Sequence, residues 1–171
     1  MQKICILGAP GSGKTFLAHR LAIKFGLETH DLDDIFWDST ADSYGTKASP
    51  ENRDAALSRI IQKNAWITDG VYYSWVVPAF NNADLIIIWH APRWLRQWRI
   101  IRRFIKRRLG LVKSKRETLV DFKNLIIYNH RFYRRKMPQI KETLKAYAGK
   151  TIECSSIRSL LEELKRRFDG N

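Results

Sequence analysis

Apolar positions fall into two alternating kinds of segment along this chain. Short segments at residues 2–7 (QKICIL), 28–32, 65–68, 85–89 (LIIIW) and 150–154 have strand length, and of these 85–89 is nearly continuous apolar. Segments of that kind predict strands. The unbroken run 85–89 predicts a strand at the centre of a parallel sheet. Between them lie segments whose apolar residues recur three or four apart, the spacing of a helix face. The first runs over Lys14 to Phe25, with Phe16, Leu17, Leu21, Ile23 and Phe25 on the expected buried side and Gly26 as its stop. Residues 38–49, rich in Ser, Asp, Thr and Gly, predict a loop. Ser49 then caps a helix with Pro50 at its first position, running to about residue 64. Residues 72–82 predict a short irregular or helical piece. Pro92 opens a long basic helix that Gly110 breaks. A further helix covers 119–147, bent or divided by Pro138, and an amphipathic helix closes the chain over 156–168.

Strands alternating with helices predict an α/β fold with a parallel sheet. The 171 residues fit one domain, 1–171, without repeats, low-complexity tracts or linkers. Hydrophobic content of 44% is that of a globular chain. Cys5 and Cys154 both stand in apolar runs, which predicts two buried, reduced thiols. No run is long enough to span a bilayer and no cleavable signal is visible, so a cytoplasmic protein is expected.

The strongest chemical signal is Gly8-Ala9-Pro10-Gly11-Ser12-Gly13-Lys14-Thr15, which fits G-x-x-x-x-G-K-[ST] at every fixed position, with a strand before and a helix after. Glycines let consecutive N–H groups face a β-phosphate, and the helix start adds its positive end. Lys14 supplies charge between β- and γ-phosphates, and the Thr15 hydroxyl is a magnesium ligand. Guanine-selective N-K-x-D is absent, which favours ATP as the nucleotide.

Carboxylates follow at two strand ends. Asp31 and Asp33 stand two apart after the second strand, where period-two geometry puts both on one side, beyond the carboxyl end of the sheet. There a carboxylate can align a substrate hydroxyl, accept its proton, or hold magnesium through water. Asp34 reads as a cap for a short helix at Ile35. Asp69, after Trp66-Ile67-Thr68, has the Walker B arrangement beside a metal site, and Gly70 permits close approach of a substrate.

Charge adds a third feature. The net charge is +14, and residues 93–116 hold eleven Lys or Arg and no acidic residue. Arg131, Arg134, Arg135 and Lys136 form a second group. Arg93, Arg96, Arg99, Arg102, Arg103, Lys106, Arg107 and Arg108 recur at helical spacing, with Trp94, Leu95, Trp98, Ile101 and Ile105 among them. One to three of these arginines are expected on phosphates, as a lid, and the rest in solvent. A basic face with aromatics also suits nucleic acid, so that partner stays open. His90 carries no assigned role. Trp37, Tyr44, Tyr72, Tyr73 and Trp75 fall in loops expected around an acceptor site, as stacking surfaces or as packing anchors.

The glycine loop, His30-Asp31-Leu32-Asp33-Asp34-Ile35-Phe36-Trp37, Trp66-Ile67-Thr68-Asp69-Gly70 and Pro92-Arg93-Trp94-Leu95-Arg96-Gln97-Trp98-Arg99 together resemble a group. It is the small adenylate-kinase-related P-loop proteins labelled DNA topology modulation proteins, with H-L-D-x-x-F-W, W-I-x-D-G-x-Y and P-R-W-x-x-x-W-R segments. The likeness covers nearly the whole chain. That group usually has an acidic residue at the position of His90 and a histidine at that of Asp31. More distantly the layout is similar to adenylate, shikimate and gluconate kinases. This resemblance implies a three-layer P-loop fold with a five-stranded parallel sheet in the order 2-3-1-4-5. It also implies an arginine-bearing lid at about 93–118, and an adenine near 93–99 and the 155–158 loop, where Arg158 stands.

Together these features lead to a magnesium-dependent kinase that moves the γ-phosphate of ATP to a hydroxyl or phosphate of a small molecule. Lys14 neutralises charge, Thr15 and Asp69 organise the metal, and Asp33 orients the acceptor. Arg93, Arg99 and Arg103 are lid candidates, and Asp31, Asp69 and Gly70 border the acceptor. The alternatives are a nucleic-acid-binding NTPase or end-kinase using 93–116, and a nucleotide-gated switch with a protein partner. The acceptor and the oligomeric state are not specified.

Overall fold

The computed structural model describes residues 2–38, 45–109 and 119–168. Its strands are β1 (Lys3–Leu7), β2 (Thr29–Asp31), β3 (Trp66–Gly70), β4 (Leu85–Trp89) and β5 (Thr151–Cys154). All pair in parallel, in the order β2-β3-β1-β4-β5. The expected sheet and its order are therefore observed. The helices are α1 (Lys14–Phe25), α2 (Leu32–Phe36), α3 (Pro50–Ile61), α4 (Val77–Asn82), α5 (Arg93–Arg108), α6 (Leu119–Arg131), α7 (Met137–Leu144) and α8 (Ile157–Phe168).

Alternation along the strands builds a core on each side of the sheet. Ile4, Ile6, Ile67, Ile87 and Ile152 face Leu17 and Leu21 of α1 and Leu160 and Leu164 of α8. Cys5, Leu7, Ile86 and Ile88 point the other way, onto Leu57, Phe80, Phe132, Ile140 and Leu144. Three layers result, with Trp66, Ile86 and Ile87 wholly buried. Both thiols are free and buried, as expected; burial pushes Cys5 and Cys154 each up to about 12.

The structure departs from the sequence pattern in four places. On α1 only Leu17, Ala18 and Leu21 are buried, while Phe16 (61%) and Ile23 (86%) face solvent. The core stripe is one helix side wide, and Arg20 and Lys24 lie over the rings of Phe16 and Phe25 instead. β2 ends at Asp31, because Leu32 already begins α2. β3 extends through Asp69 and Gly70, which pair with Ile6 and Leu7 of β1. The expected 119–147 helix is divided, and the division precedes Pro138. A π-helical turn, Phe132–Lys136, joins α6 to α7, with the Met137 N–H bonded to the Phe132 carbonyl. The wider turn lets Pro138, which has no N–H, sit at the start of α7. Gly110 and the basic residues up to 116 lie outside the described residues.

Candidate active site

The loop after β1 curls at two glycines with left-handed backbone, Gly11 (φ +74°) and Gly13 (φ +92°), and Gly13 caps α1. At Gly13 the left-handed backbone is what requires glycine; a Cβ there would meet only Nη1 of Arg99 at 2.7 Å, the movable end of a long side chain. The curl is tied internally, Ser12 N to Ala9 O at 3.1 Å, and to the sheet, Gly8 N to Gly70 O at 3.2 Å. Its carbonyls are held from outside. Ser12 O accepts from Trp89 Nε1 at 3.1 Å and from Arg99 Nη1 at 2.7 Å, and Pro10 O accepts from Asn129 Nδ2. A curl whose carbonyls are taken by outside donors presents N–H groups to its inside, which is the polarity a phosphate needs.

At the start of α1, Thr15 Oγ1 donates to Asp69 Oδ2 at 2.7 Å, and Lys14 Nζ lies 3.8 Å from the same oxygen. Asp69 is buried, and burial raises its pKa against the opposing pull of Thr15 and Lys14. Asp31 is the register partner of Asp69 on the neighbouring strand. Burial, reinforced by the charges of Asp69 and Asp33, pushes Asp31 up to about 6. Gly70 is needed for closeness: a Cβ there would be 3.0 Å from the Leu32 side chain.

Asp31 and Asp33 do not alternate along one strand as the sequence suggests. Asp31 is the N-cap of α2, its Oδ1 accepting from Asp33 N at 2.9 Å, so Asp31 and not Asp34 has the capping role. Asp33 stands in the first helical turn, and Oδ1 accepts from the Tyr72 hydroxyl at 2.7 Å. Burial, with that bond to Asp33, raises the Tyr72 phenol above its usual range. Tyr72 also packs on Phe36 (4.5 Å) and Trp75 (5.1 Å), and Arg53 lies 4.8 Å over Trp75. Phe36, Trp37, Tyr72 and Trp75 form one packed wall beside Asp33, whereas the Tyr73 hydroxyl donates to Gln139 Oε1; Tyr44 lies outside the described residues.

The basic helix divides by face. A cleft of about 200 Å³ is lined by Gly11, Gly13, Lys14, Thr15, Arg99, Ile100 and Arg103. Arg99 and Arg103 thus stand at the glycine loop, while Arg93 is exposed at the helix start. Arg96 is buried at 6% exposure. It donates to Ala91 O and, at 3.3 Å, to Asn129 Oδ1, and lies 3.8 Å over the Tyr133 ring. Asn129, Tyr133 and the Trp89 indole are absent from the sequence reading, since no local pattern links Asn129 to a loop 119 residues away. Arg158, at the start of α8, is exposed and pairs with Glu162 at 2.9 Å, and does not line the cleft. His90 pairs with Glu153 at 2.7 Å, and Glu153 also meets Lys141 at 2.6 Å, which gives His90 a structural place.

No protein-family model matches this chain, and no curated protein matches it in sequence. Solved structures do match in shape. A shikimate kinase from Acinetobacter baumannii, in complex with shikimate, has 17% identity and a TM-score of 0.62, covering 100% of this chain and 95% of that one. A gluconokinase from Sinorhizobium meliloti has 16% identity and a TM-score of 0.52, covering 99% and 90%. A sugar kinase from a Janibacter species has 14% identity and a TM-score of 0.51, covering 99% and 95%. At such identities the likeness shows the fold alone, a three-layer α/β arrangement around a parallel sheet. The comparisons lend no support to the DNA-topology label or to a nucleic-acid partner.

Among the described residues no group of three or more His, Cys, Asp or Glu is arranged to hold a metal by itself. Magnesium does not need one. It keeps several waters and takes one or two protein ligands beside substrate phosphates. The Thr15 hydroxyl and the Asp69 carboxylate, already 2.7 Å apart, fit that demand.

Proposed function

We propose that this chain is a single-domain, magnesium-dependent kinase that transfers the γ-phosphoryl group of ATP to a hydroxyl or phosphate of a small molecule. The observation that carries this reading is the meeting of Thr15 and Lys14 on one oxygen of Asp69, at the mouth of the glycine loop. The kinase fold of the matching structures supports it.

On this reading the backbone of Gly8, Ala9, Pro10, Gly11, Ser12 and Gly13 cradles the phosphates, and Lys14 neutralises charge between the β and γ positions. Thr15 and Asp69 hold magnesium, which supplies Lewis-acid stabilisation of the phosphate charge. Arg99 and Arg103, with Arg93 as a more distant member, cover the transferring group from α5, and residues 93–118 act as the lid. Arg158 borders the base. Asp31, Asp33 and Gly70 form the acceptor side, with Asp33 as orienting base. The acceptor oxygen bonds to the γ-phosphorus as the bond to the β–γ bridging oxygen breaks. For a hydroxyl acceptor the proton passes to Asp33, and ADP leaves. A cytoplasmic setting, with ATP at hand and thiols reduced, belongs to the same reading. No helix among the described residues is long and apolar enough to cross a membrane.

The test is Mg-ATP turnover against nucleoside monophosphates, nucleosides, small hydroxy acids and short oligonucleotides, for the wild type and Lys14→Ala. Phosphate transfer to one small-molecule class, lost in a folded Lys14→Ala protein, supports the reading. Wild-type turnover in that variant sinks it.

A further inference from the structure

Helix α5 has two apolar faces, and among the described residues only one of them is buried. Arg96, Ile100 and Phe104, spaced four apart, are buried. At ~100° per residue, Trp94, Trp98, Ile101 and Ile105 fall on the opposite side, and Leu109 continues their line. Their exposures are 67%, 53%, 42% and 49%, and that of Leu109 is 66%. Large apolar side chains in solvent are ordinary when scattered singly. Five in one stripe, directly opposite a buried stripe, are a contiguous patch. The patch is bordered by exposed cations: Arg102, whose guanidinium lies 5.5 Å over the Trp98 ring, and Lys106 on one side, and Arg108 on the other. No acidic residue occurs in the helix.

We infer that this face of α5 docks on the surface of an anionic lipid bilayer, with the helix lying in the membrane plane. The chemistry selects this occupant over the others. Ile101, Ile105 and Leu109 have no ring to stack on a base, so a nucleic-acid strand leaves them wet. A second copy of the chain brings two sets of cations together, with no acid on the helix to pair them. An anionic leaflet satisfies both features. The aliphatic stripe enters the acyl boundary, the indoles sit at interfacial depth, and the flanking cations meet headgroup phosphates. Arg99 and Arg103 lie on the cleft side of the same helix, so docking leaves them with the glycine loop. The inference does not depend on the kinase reading, because it uses the other face of the helix.

The experiment is co-sedimentation of the full chain with vesicles of phosphatidylcholine alone, or with roughly a third phosphatidylserine, beside a Trp98→Ser/Ile105→Asn variant of unchanged net charge. Both positions are exposed, and circular dichroism checks that the variant keeps its fold. The wild type is expected to sediment with the phosphatidylserine vesicles and not with the neutral ones. The double variant is expected to partition about tenfold more weakly. Wild-type binding no better than to neutral vesicles overturns the inference, as does equal binding by the variant. A variant-sensitive preference for a single-stranded oligonucleotide over vesicles, or a dimer abolished by the same substitutions, assigns the face to another occupant and also overturns it.

Discussion

The Thr15 hydroxyl donates to the buried carboxylate of Asp69 at 2.7 Å, joining the first turn of α1 to the end of β3. Lys14 reaches the same oxygen at 3.8 Å. Two groups suited to metal and phosphate thus share one carboxylate. Asp69→Asn keeps an oxygen for Thr15 and removes the charge. The variant is expected to fold, because it relieves a buried carboxylate whose pKa burial raises. On the proposed reading its Mg-ATP turnover falls ~10²-fold or more. Steady-state kinetics over a magnesium series checks this, and turnover within a few-fold of wild type would remove Asp69 from the metal site.

Asn129 is 2% exposed and bridges two elements, accepting from Arg96 and donating to Pro10 O. Asn129→Leu keeps the volume but removes the acceptor of Arg96 Nε and the donor to Pro10 O. A loss of ~1–3 kcal/mol is expected by urea unfolding. Nucleotide affinity is expected to weaken as well, because Pro10 O is one of the carbonyls held from outside the loop. Unchanged stability would mean that water takes over both bonds.

What the sequence made legible follows from locality. Leu85–Trp89 and the glycine loop were readable because each signal is contained in a few adjacent residues. Asp69 was readable for the same reason, as the end of an apolar strand. The relation of Asp31 to Asp33 was not. Strand periodicity carried through Leu32 puts both carboxylates on one side, whereas the capping preference of Asp31 starts a helix there. The clamp of Arg96, Asn129 and Tyr133 on the loop rests on contacts between distant segments, and Arg96 looked like any other member of a basic helix. Spacing showed that α5 had two faces. Only packing showed that an arginine lies on the buried one.

Tyr72 fixes Asp33 through a 2.7 Å hydrogen bond while its ring packs, tilted, against both Phe36 and Trp75. Tyr72→Phe keeps the ring contacts and frees the carboxylate to rotate. If Asp33 orients the acceptor, turnover falls roughly tenfold with acceptor present. Nucleotide binding, measured by calorimetry without acceptor, stays at the wild-type value. A parallel loss of nucleotide affinity would assign Tyr72 to the general packing of the site instead.

Asp31 carries a pH signature. Burial above all, with the charges of Asp69 and Asp33, pushes it up to about 6, whereas its ordinary value is 3.8. The folded chain therefore holds this proton more tightly than the unfolded chain. The stability tied to Asp31 is complete below about pH 4 and is lost as the pH rises through about 6. The full difference corresponds to ~3 kcal/mol; with the side chain partly open to water, ~1–2 kcal/mol is expected. Asp31→Asn keeps an oxygen to accept from Asp33 N and removes the titration. Urea unfolding of both proteins, without nucleotide or magnesium, is expected to show wild type losing ~1–2 kcal/mol relative to the variant between pH 4 and pH 7. A difference that stays level across that range would mean that water or a cation already compensates the Asp31 charge in the folded chain, and that Asp31 and Asp69 ionise side by side.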